Sequence, residues 1–442
     1  MLLKFKVKNY KSFAEEAIFD MCSVSDEDTL AYSIMSEKCG QDEVKVLPTS
    51  VIYGPNASGK TNIIGAMEAI REIIKRGHIR NAEYASTPNQ AAYKLELIPN
   101  CHARKKLPCE FEIEFCEMGY KISYAISLDL GTFLDTGYES RRKVLFESLN
   151  VNNTLVFKRE KKNVTIYDLL PISDYLSASE WWKKHNNTVI TSDEQDLFLE
   201  NAFRINFAPE FVKLINRWLA EKFYVLPSVN IMETSSVGNK GGLYVEEYSN
   251  KAAKMFGLCS DKIGYYKEGE KNMPRMYSVY KKSNKDNGVL IPSNIFESFG
   301  TTRLVNVFPA LHHAFVTGAT LVMDELDASL HPMAVMSIIS AFHNDNINKK
   351  HAQLIFNTHN PVFLNANVFR KDEIKFVEKN DQGSVLYSLA DFVTSEEKKG
   401  HEAGDYMKNY FVSRYGAIKD IDFSPLFEEM VNKTLKRDGK NA

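Results

Sequence analysis

The sequence predicts an α/β fold in which a mostly parallel sheet is assembled from two separated parts of the chain. One part surrounds "VIYGPNASGKTN" at residues 51–62, where an apolar run enters a glycine-rich turn and a helical pattern follows. The other part begins after residue 290, where apolar runs of strand type alternate with helical segments. Because strands separated by helices favour a parallel sheet, we expect one α/β core whose halves lie towards the two ends of the sequence.

The bulk composition is that of a soluble globular protein and leaves its partners open. The chain has 442 residues, 44% of them hydrophobic, which allows a large core and more than one lobe. A net charge of −2 gives no overall attraction to nucleic acid or to an anionic membrane. No apolar stretch is long enough to span a bilayer, so we expect a cytoplasmic protein without a membrane partner. The six cysteines lack C-x-x-C spacing, which argues against zinc and favours a reduced compartment.

Changes of pattern divide the chain into three predicted parts. In 1–168, two strands joined by the turn "NYKSF" precede the glycine-rich turn and its helix, and an antiparallel β region with segments such as "CEFEIEF" follows. In 169–290, helical pieces such as "PEFVKLINRWLAEKF" alternate with polar, glycine-rich stretches, which indicates a mainly helical insertion lobe without a long coiled coil. In 291–442, a helix near 300–317, further strands and helices, and a closing helix around 395–414 restore the α/β pattern.

The glycine-rich turn has the spacing of a phosphate-binding P-loop. Gly54 is followed after four residues by Gly59, Lys60 and Thr61. In such a loop, backbone N–H groups surround the phosphates, the lysine reaches the outer ones and the hydroxyl binds magnesium. The strand before it and the helix after it place a helix N-terminus at the anion, whereas the alternative is a chance loop on another fold. The residues expected to bind nucleotide are Gly54, Pro55, Asn56, Ala57, Ser58, Gly59, Lys60, Thr61 and Asn62.

Two acids follow an apolar strand in "ATLVMDELDASLHP". A carboxylate at the end of a strand beside the P-loop strand can hold the magnesium ion together with Thr61, and the next acid can accept the proton of an attacking water. We therefore assign Asp324 to the metal and Glu325 to the role of catalytic base. The alternative is a pair of solvated acids at a strand end.

A histidine ends the next strand, "AQLIFNTHN". His359 is placed to hydrogen-bond the terminal phosphate or the attacking water and thus to report whether that phosphate is present. A capping or buried structural histidine is the alternative interpretation.

The stretch "FESFGTTR" at residues 296–303 starts a predicted helix with small and hydroxyl-bearing residues. Such an N-terminus, with Ser298 and Gly300, is a second anion site. Because one chain needs only one phosphate cradle, its expected use is to close over the nucleotide of a neighbouring chain. By itself, the stretch would be only a helix cap.

The order of these motifs resembles the ABC-type ATPase heads of the SMC, RecF, double-strand-break-repair and OLD lineages. "NYKSF" is similar to their N-terminal strand turn and "ESFG" to their signature motif, while Asp327 resembles their D-loop acid and His359 their switch histidine. The resemblance covers the whole chain loosely and its two ends closely. It implies a P-loop NTPase fold of the ABC type that uses ATP and Mg²⁺.

Within that clan, "GPNASGKTN", "SFGTTR", "DELDASLHP" and "NTHNPVFL" resemble the stand-alone ATPases of bacterial abortive-infection and PARIS-type anti-phage systems. The later "EIKFVEKNDQGSVLYSLADF" and "SRYGAI" are similar to the C-terminal pattern of that family. The resemblance implies a homodimer or higher homo-oligomer formed head to head with ATP. It also implies slow or regulated ATP hydrolysis that controls a separately encoded toxin or nuclease.

Three features depart from the pattern of these families. Phe299 stands where the ABC signature has a glycine, which implies a tuned or slow closure. The best-placed Q-loop residue is Gln90, in "STPNQAAYKLEL". The segment that follows His359 is too short for the Toprim domain of OLD nucleases, so we do not expect the chain itself to be a nuclease.

Other features leave alternatives open. The basic clusters "KRGHIR", "HARKK", "ESRRK" and "FKREKK" suit either a nucleic-acid surface or ordinary solvated faces, and the first option would make the chain a DNA-repair clamp. Trp181 and Trp182 suit a partner contact or simple packing, and Lys11 a phosphate contact or a surface position. A third alternative, the cytosolic subunit of an ABC transporter, explains the motifs but not the long insertion.

Overall fold

A computed structural model of the chain shows how the two predicted halves of the α/β core combine. It describes residues 1–24, 30, 34–80, 97–103, 105–133, 141–176, 189–226, 243–266, 275–281, 288–392, 405–419 and 422–438. Gln90, Trp181 and Trp182 lie outside the described residues.

Twenty strands are present in the described parts of the chain. They are β1 Leu2–Lys8, β2 Ala17–Asp20, β3 Met35–Cys39, β4 Asp42–Val46, β5 Thr49–Tyr53, β6 Cys109–Glu117, β7 Tyr120–Asp129, β8 Lys143–Val151, β9 Thr154–Glu160, β10 Asn163–Ile166, β11 Val189–Thr191, β12 Phe223–Leu226, β13 Leu243–Tyr244, β14 Lys262–Tyr266, β15 Arg275–Tyr280, β16 Val289–Pro292, β17 Thr320–Met323, β18 Gln353–Asn357, β19 Ile374–Asn380 and β20 Gly383–Ser388.

The α-helices connect and cover these strands. They are α1 Lys60–Arg76, α2 Arg204–Asn206, α3 Pro209–Arg217, α4 Glu247–Met255, α5 Ser293–Phe296, α6 Phe299–Thr317, α7 Pro332–His343, α8 Tyr406–Phe411 and α9 Ser424–Asp438. Two π-helical turns, Leu199–Phe203 and Trp218–Lys222, precede α2 and follow α3. No α-helix in the described ranges is both long enough and apolar enough to cross a bilayer.

A six-stranded sheet forms the centre of the fold, in the order β12-β17-β18-β5-β19-β20. The strands β12, β17, β18, β5 and β19 pair in parallel, and β20 returns antiparallel to β19. The carboxyl ends of parallel strands meet at one edge, so the residues that follow β5, β17 and β18 are neighbours. This edge therefore brings together the P-loop, the Asp-Glu pair and the segment around His359.

Both faces of this sheet are covered, which explains why its inner strands are apolar throughout. Alternate residues point to opposite faces. One set packs against α1 and the antiparallel sheet and includes Ile52, Val322, Ile355 and Val377. The other set packs against α6 and α7 and includes Val51, Leu321, Leu354 and Phe356. Ile63, Met67, Ile70 and Ile74, which recur at helical spacing along α1, are all buried.

The second large sheet is the predicted antiparallel β region, in the order β11-β10-β9-β8-β7-β6-β1-β2. Its long strands follow the chain as hairpins, whereas β1 comes from the N-terminus and pairs with β6. Cys39 of β3 and Cys116 of β6 pair as a disulfide with Cα atoms 5.9 Å apart. The cysteine spacing favoured reduced thiols. It does not reveal this pair, because the two cysteines are 77 residues apart in sequence and lie on strands of different sheets that meet only in the tertiary fold.

The segment predicted as the insertion lobe contributes helices and also strands. Its α3 and α4 match predicted helical pieces, but β13 to β16 form a four-stranded antiparallel sheet. Aromatic-rich segments such as "KIGYY" and "RMYSVY" favour strands and pair with each other there. The segment also supplies β12, which pairs with β17 at the edge of the central sheet.

Candidate functional site

A cavity of about 530 Å³ opens at the carboxyl edge of the central sheet. Its floor is the P-loop, from Asn56 to Asn62, and its walls include Glu325, Asn357 and His359. The remaining lining residues are Lys11, Ser12, Ile98, Cys101, Phe133 and Lys379. The structure thus places most of the predicted site residues of one chain around a single space.

Two glycines determine the backbone conformation of the P-loop. Gly54 has φ 154° and Gly59 has φ 114°, both in the region that favours glycine. A Cβ on Gly54 would lie 2.2 Å from the carbonyl oxygen of Val377. A Cβ on Gly59 would lie 2.6 Å from the hydroxyls of Ser12 and Ser384. Both positions therefore require glycine for space as well as for backbone conformation.

Lys60 begins α1 and is held across the loop that precedes it. Its Nζ donates to the carbonyl oxygens of Gly54 at 2.8 Å and Pro55 at 3.0 Å. The side chain is largely buried, and this desolvation lowers the pKa of Lys60 to about 8. A cation fixed at a helix N-terminus, next to free backbone N–H groups, suits the phosphates of a nucleotide.

Thr61 and Asp324 meet as the predicted metal ligands. The hydroxyl of Thr61 donates to Oδ1 of Asp324 at 3.2 Å. A hydroxyl and a carboxylate are hard oxygen ligands of the kind that Mg²⁺ prefers. Burial raises the pKa of Asp324, while hydrogen bonds from Asn357 and Thr61 oppose that shift. The donor set fits a magnesium ion held beside the nucleotide phosphates.

Glu325 lies in the cavity wall with an unusual backbone. Its φ is 49°, in the left-handed region that residues other than glycine rarely adopt. Its side chain is exposed to the cavity, and the carboxylate is therefore available to an attacking water. Its peptide N–H donates to Oδ1 of Asn357, and its carbonyl oxygen accepts from the guanidinium of Arg303. Two side chains therefore fix the peptide groups on both sides of the predicted base.

Asn357 and Arg303 are site residues that the sequence reasoning missed. Asn357 also donates through Nδ2 to Oδ1 of Asp324. The signal that was available for Asn357 is a carboxamide at the end of a buried strand, next to the strand that ends in the two acids. For Arg303, it is a basic residue one helical turn after the start of the signature helix.

The switch and D-loop residues occupy neighbouring positions. His359 lines the cavity, and burial and the positive charge of Lys60 lower its pKa. Oδ2 of Asp327 accepts a hydrogen bond of 2.7 Å from the hydroxyl of Thr358, the residue before His359. Burial raises the pKa of Asp327. The predicted D-loop acid is therefore linked to the segment that carries His359 within one chain.

The signature residues lie elsewhere. Ser298 caps α6, since its Oγ accepts from the backbone N–H of Thr301 at 3.1 Å. Gly300 is buried, and a Cβ there would lie 2.6 Å from the carbonyl oxygen of Ser329. Among the described residues, neither Ser298 nor Gly300 lines the P-loop cavity, and neither does Asp327.

The turn "NYKSF" is attached directly to the P-loop. Nδ2 of Asn62 donates to the hydroxyl of Ser12 at 2.7 Å, and the backbone N–H of Ser384 donates to the carbonyl of Ser12 at 2.7 Å. Lys11 lies in the cavity lining, which is compatible with the predicted phosphate contact. The turn therefore helps to hold the loop in place.

Most basic side chains that the structure describes in the four clusters are paired with acids. The pairs are Lys75–Glu72, Arg76–Glu72, Arg80–Asp196, Lys106–Asp129, Lys143–Glu194, Lys158–Glu160, Arg159–Glu147 and Lys162–Glu194. A nucleic-acid surface needs basic charge that is free to meet phosphate. The described parts of these clusters thus give little support to duplex binding.

Solved structures of SMC heads are similar to this chain at low identity. The SMC head domain from Thermotoga maritima is 16% identical, over 88% of this chain and 98% of that one, with a TM-score of 0.35. The SmcHead bound to the C-winged helix domain of ScpA is 14% identical, over 90% and 99%, with a TM-score of 0.38. The Smc head domain derived from Pyrococcus furiosus, with an extended coiled coil and bound to the C-terminal domain of ScpA, is 14% identical, over 90% and 98%, with a TM-score of 0.34.

A match to a known protein family assigns the chain to that family. No curated protein matches the chain significantly. Residues 50–365 match the family described as "AAA domain, putative AbiEii toxin, Type IV TA system". The matched range runs from the P-loop strand past His359 and covers well over half of the chain. This match confirms the resemblance predicted from the motifs, and the chain belongs to that family of P-loop ATPase domains.

Proposed function

We propose that the chain is an ATP-binding and ATP-hydrolysing switch that associates head to head. In this proposal, it controls a separately encoded toxin or nuclease in a bacterial anti-phage system of the abortive-infection type. The observation that carries this proposal is the cavity lined by Lys60, Thr61 and Glu325, with Asp324 hydrogen-bonded to Thr61. These are the groups that phosphate binding, metal binding and water activation require.

In this proposal, the residues of one chain bind the nucleotide and prepare the water. Lys60 and the backbone N–H groups of the P-loop bind the phosphates, and Thr61 and Asp324 hold Mg²⁺. The ion, when bound, supplies positive charge that neutralises the β- and γ-phosphates. Glu325 accepts the proton of the attacking water, and His359 contacts the terminal phosphate or that water.

A second copy of the chain completes the site. Ser298, Gly300 and Asp327 stand outside the cavity of their own chain. In this proposal, the N-terminus of α6, where Ser298 is exposed, covers the nucleotide of a partner. Large apolar side chains surround Ser298 on the surface: Ile295 is 63% exposed, Phe296 59% and Phe299 81%. Exposed apolar patches of this kind mark interaction sites. A dimer or higher homo-oligomer that buries them would bring signature and P-loop together.

The effector and the defence role rest on the family. Its description names the AbiEii toxin and a Type IV toxin–antitoxin system, in which a partner protein is inherent. This part of the proposal is tested by expressing the chain with and without the product of its neighbouring gene and challenging the cells with phage. Protection that needs both proteins and an intact Lys60 supports it; equal protection by the neighbouring protein alone contradicts it.

The switch itself is tested by light scattering with and without ATP and Mg²⁺, on the wild type, Glu325→Gln and Lys60→Ala. Blocking the base should trap an ATP-bound oligomer, so the mass of Glu325→Gln should at least double with Mg²⁺-ATP. Lys60→Ala should show no response. Asp345→Asn, which removes an exposed acid outside the cavity, is the matched control and should behave as the wild type.

Phosphate release measured on the same proteins tests hydrolysis. Loss of the base should lower turnover about 100-fold or more. A mass that stays at one chain in every nucleotide state contradicts the head-to-head dimer. A wild type that binds ATP but releases no phosphate contradicts hydrolysis while leaving a binding switch.

A further inference from the structure

Asn357 is the last residue of β18 and is buried between the P-loop strand and the strand that precedes the two acids. Only 1% of its surface is exposed. Its neighbours β17 and β5 pair with β18 in parallel, and Asn357 is in register with Ile52. The side chain therefore emerges at the carboxyl edge of the sheet, in the wall of the cavity.

Both ends of its carboxamide are engaged by consecutive residues. Nδ2 donates to Oδ1 of Asp324, and Oδ1 accepts from the backbone N–H of Glu325. The same oxygen of Asp324 accepts from Thr61. One planar group thus holds the side chain of the predicted metal ligand and the backbone of the predicted base.

We propose that Asn357 is the positioning residue that sets the orientation of Asp324 and the left-handed backbone of Glu325 together. The inference rests on the proposed function, because it assigns Asn357 a role in the same reaction. It is not a catalytic residue, since it acts through the two acids.

The chemistry of the position selects asparagine. A backbone held at φ 49° in a residue other than glycine carries an energetic cost. The hydrogen bond from the N–H of Glu325 to Asn357 offsets part of that cost. Aspartate would accept the same bond but could not donate to Asp324, and it would place a second carboxylate beside it. Leucine has a similar volume and makes neither bond.

The same strand offers a matched control. Gln353, at the opposite end of β18, is fully buried, and its carboxamide also makes several hydrogen bonds. It accepts from Thr320 and the N–H of Leu2 and donates to the carbonyls of Leu2 and Leu47. Gln353→Leu therefore removes a buried carboxamide from this strand without touching the two acids.

The first experiment compares Asn357→Leu with Gln353→Leu in the full chain. We measure kcat, KM, the thermal midpoint, and the ratio of the ATP dissociation constants with Mg²⁺ and with EDTA. Asn357→Leu should lower kcat at least about 10-fold, less than the roughly 100-fold or more expected for loss of the base, because the base is displaced and not removed. It should also remove most of the gain in affinity that Mg²⁺ gives, and leave affinity in EDTA within about twofold. Gln353→Leu should lower the thermal midpoint but leave kcat and the Mg²⁺ ratio unchanged.

A second experiment does not depend on turnover and remains informative if Asn357→Leu folds poorly. Asn357→Asp should lower the thermal midpoint in metal-free buffer because two carboxylates then face each other. Adding Asp324→Asn to that variant restores a donor–acceptor pair and should recover most of the loss. Comparison with Asp324→Asn alone then isolates the coupling between the two side chains.

The outcomes separate the inference from the proposed function. If the wild type hydrolyses ATP and Asn357→Leu keeps its kcat and Mg²⁺ ratio, or if Asp324→Asn gives no recovery, the positioning role is wrong. If the wild type releases no phosphate, hydrolysis is wrong, whereas the Mg²⁺ ratio and the recovery of the thermal midpoint still decide the role of Asn357.

Discussion

The guanidinium of Arg303 donates a hydrogen bond to the backbone carbonyl of Glu325, so the helix that begins with the signature motif is attached to the predicted base. Burial lowers the pKa of Arg303, while the carboxylates of Glu325, Asp327 and Asp324 oppose that shift. Its Nε is buried without a hydrogen-bond partner among the described residues. If contact with a second chain moved the signature helix, Arg303 would therefore transmit that movement to the backbone of Glu325.

Arg303→Met should uncouple the signature helix from the base. We expect kcat to fall about 10-fold, which corresponds to about 1.4 kcal/mol in the barrier, because the peptide of Glu325 loses one of its two side-chain restraints. The ATP dissociation constant should change less than about twofold, because Arg303 does not line the P-loop cavity. Steady-state kinetics and equilibrium ATP binding measure the two effects.

The control for this change is Arg217→Met. Arg217 is exposed on α3 and pairs with Glu221, so its loss should alter neither quantity. An unchanged kcat in Arg303→Met would show that its bond to Glu325 has no part in turnover.

Phe299 is a residue at which a substitution should prevent assembly without weakening ATP binding. Its side chain is 81% exposed at the first position of α6, directly after Ser298. Phe299→Asp places a charge in the proposed interface, so the ATP-dependent increase in mass of Glu325→Gln should be lost while ATP affinity stays within about twofold. Burying an unpaired charge costs several kcal/mol. Light scattering of the double variant Phe299→Asp/Glu325→Gln gives the answer.

Met118→Asp is the matched control for Phe299→Asp. Met118 is 72% exposed, but it lies in the turn between β6 and β7, in the antiparallel sheet. Its substitution should leave the oligomer intact. Assembly that survives Phe299→Asp would place the interface on another face.

The sequence predicts the site best where function follows from local pattern. The strand, turn and helix of the P-loop and the helix near 300–317 lie where the sequence predicts them, because periodicity and glycine spacing act over a few residues. The contacts of Asn357 and Arg303 depend on strand order and helix packing, which no short window records. For the same reason, the predicted helix "PEFVKLINRWLAEKF" did not reveal that its last residue, Phe223, begins a strand of the central sheet.

The lowered pKa of Lys60 predicts how ATP binding depends on pH. Burial brings this pKa from 10.5 to about 8, so the ammonium of the free protein is lost as the pH rises through about 8. Only the charged form attracts phosphate strongly. The ATP dissociation constant of Glu325→Gln should therefore rise above pH 8, by at most about tenfold per pH unit for one proton.

Lys60→Arg should flatten this profile, because a guanidinium stays charged throughout the range. Lys75→Arg, at the other end of α1, should keep the profile of the parent protein. Isothermal titration between pH 7 and pH 9.5 on the three proteins tests the assignment. Parallel profiles for all of them would mean that Lys60 does not titrate in this range.

The buried pair of Arg159 and Glu147 should dominate the stability of the antiparallel sheet. Both side chains are fully buried, with Nη1 of Arg159 3.5 Å from Oε2 of Glu147. Arg159 also donates to the carbonyls of Lys161, Asp193 and Asp196, and Glu147 accepts the backbone N–H groups of Phe198 and Leu199. The pair thus fastens the segment from residue 193 to 199 onto β8 and β9.

Arg159→Met should lower the free energy of unfolding by about 3–5 kcal/mol near neutral pH, because it leaves a buried carboxylate without its cation. Burial already raises the pKa of Glu147 above 4.5, and loss of Arg159 raises it further. An acid whose pKa is higher in the folded than in the unfolded state lowers the free energy of unfolding as the pH rises from the unfolded pKa to the folded pKa. The deficit of Arg159→Met should therefore be smaller at pH 5 than at pH 8.

Urea unfolding at both pH values measures this deficit. The control is Lys158→Met, which removes an exposed neighbour paired with Glu160 and should behave as the wild type. A deficit that does not change with pH would mean that Glu147 does not titrate as described, and the absence of any deficit would show that the pair does not hold this segment to the sheet.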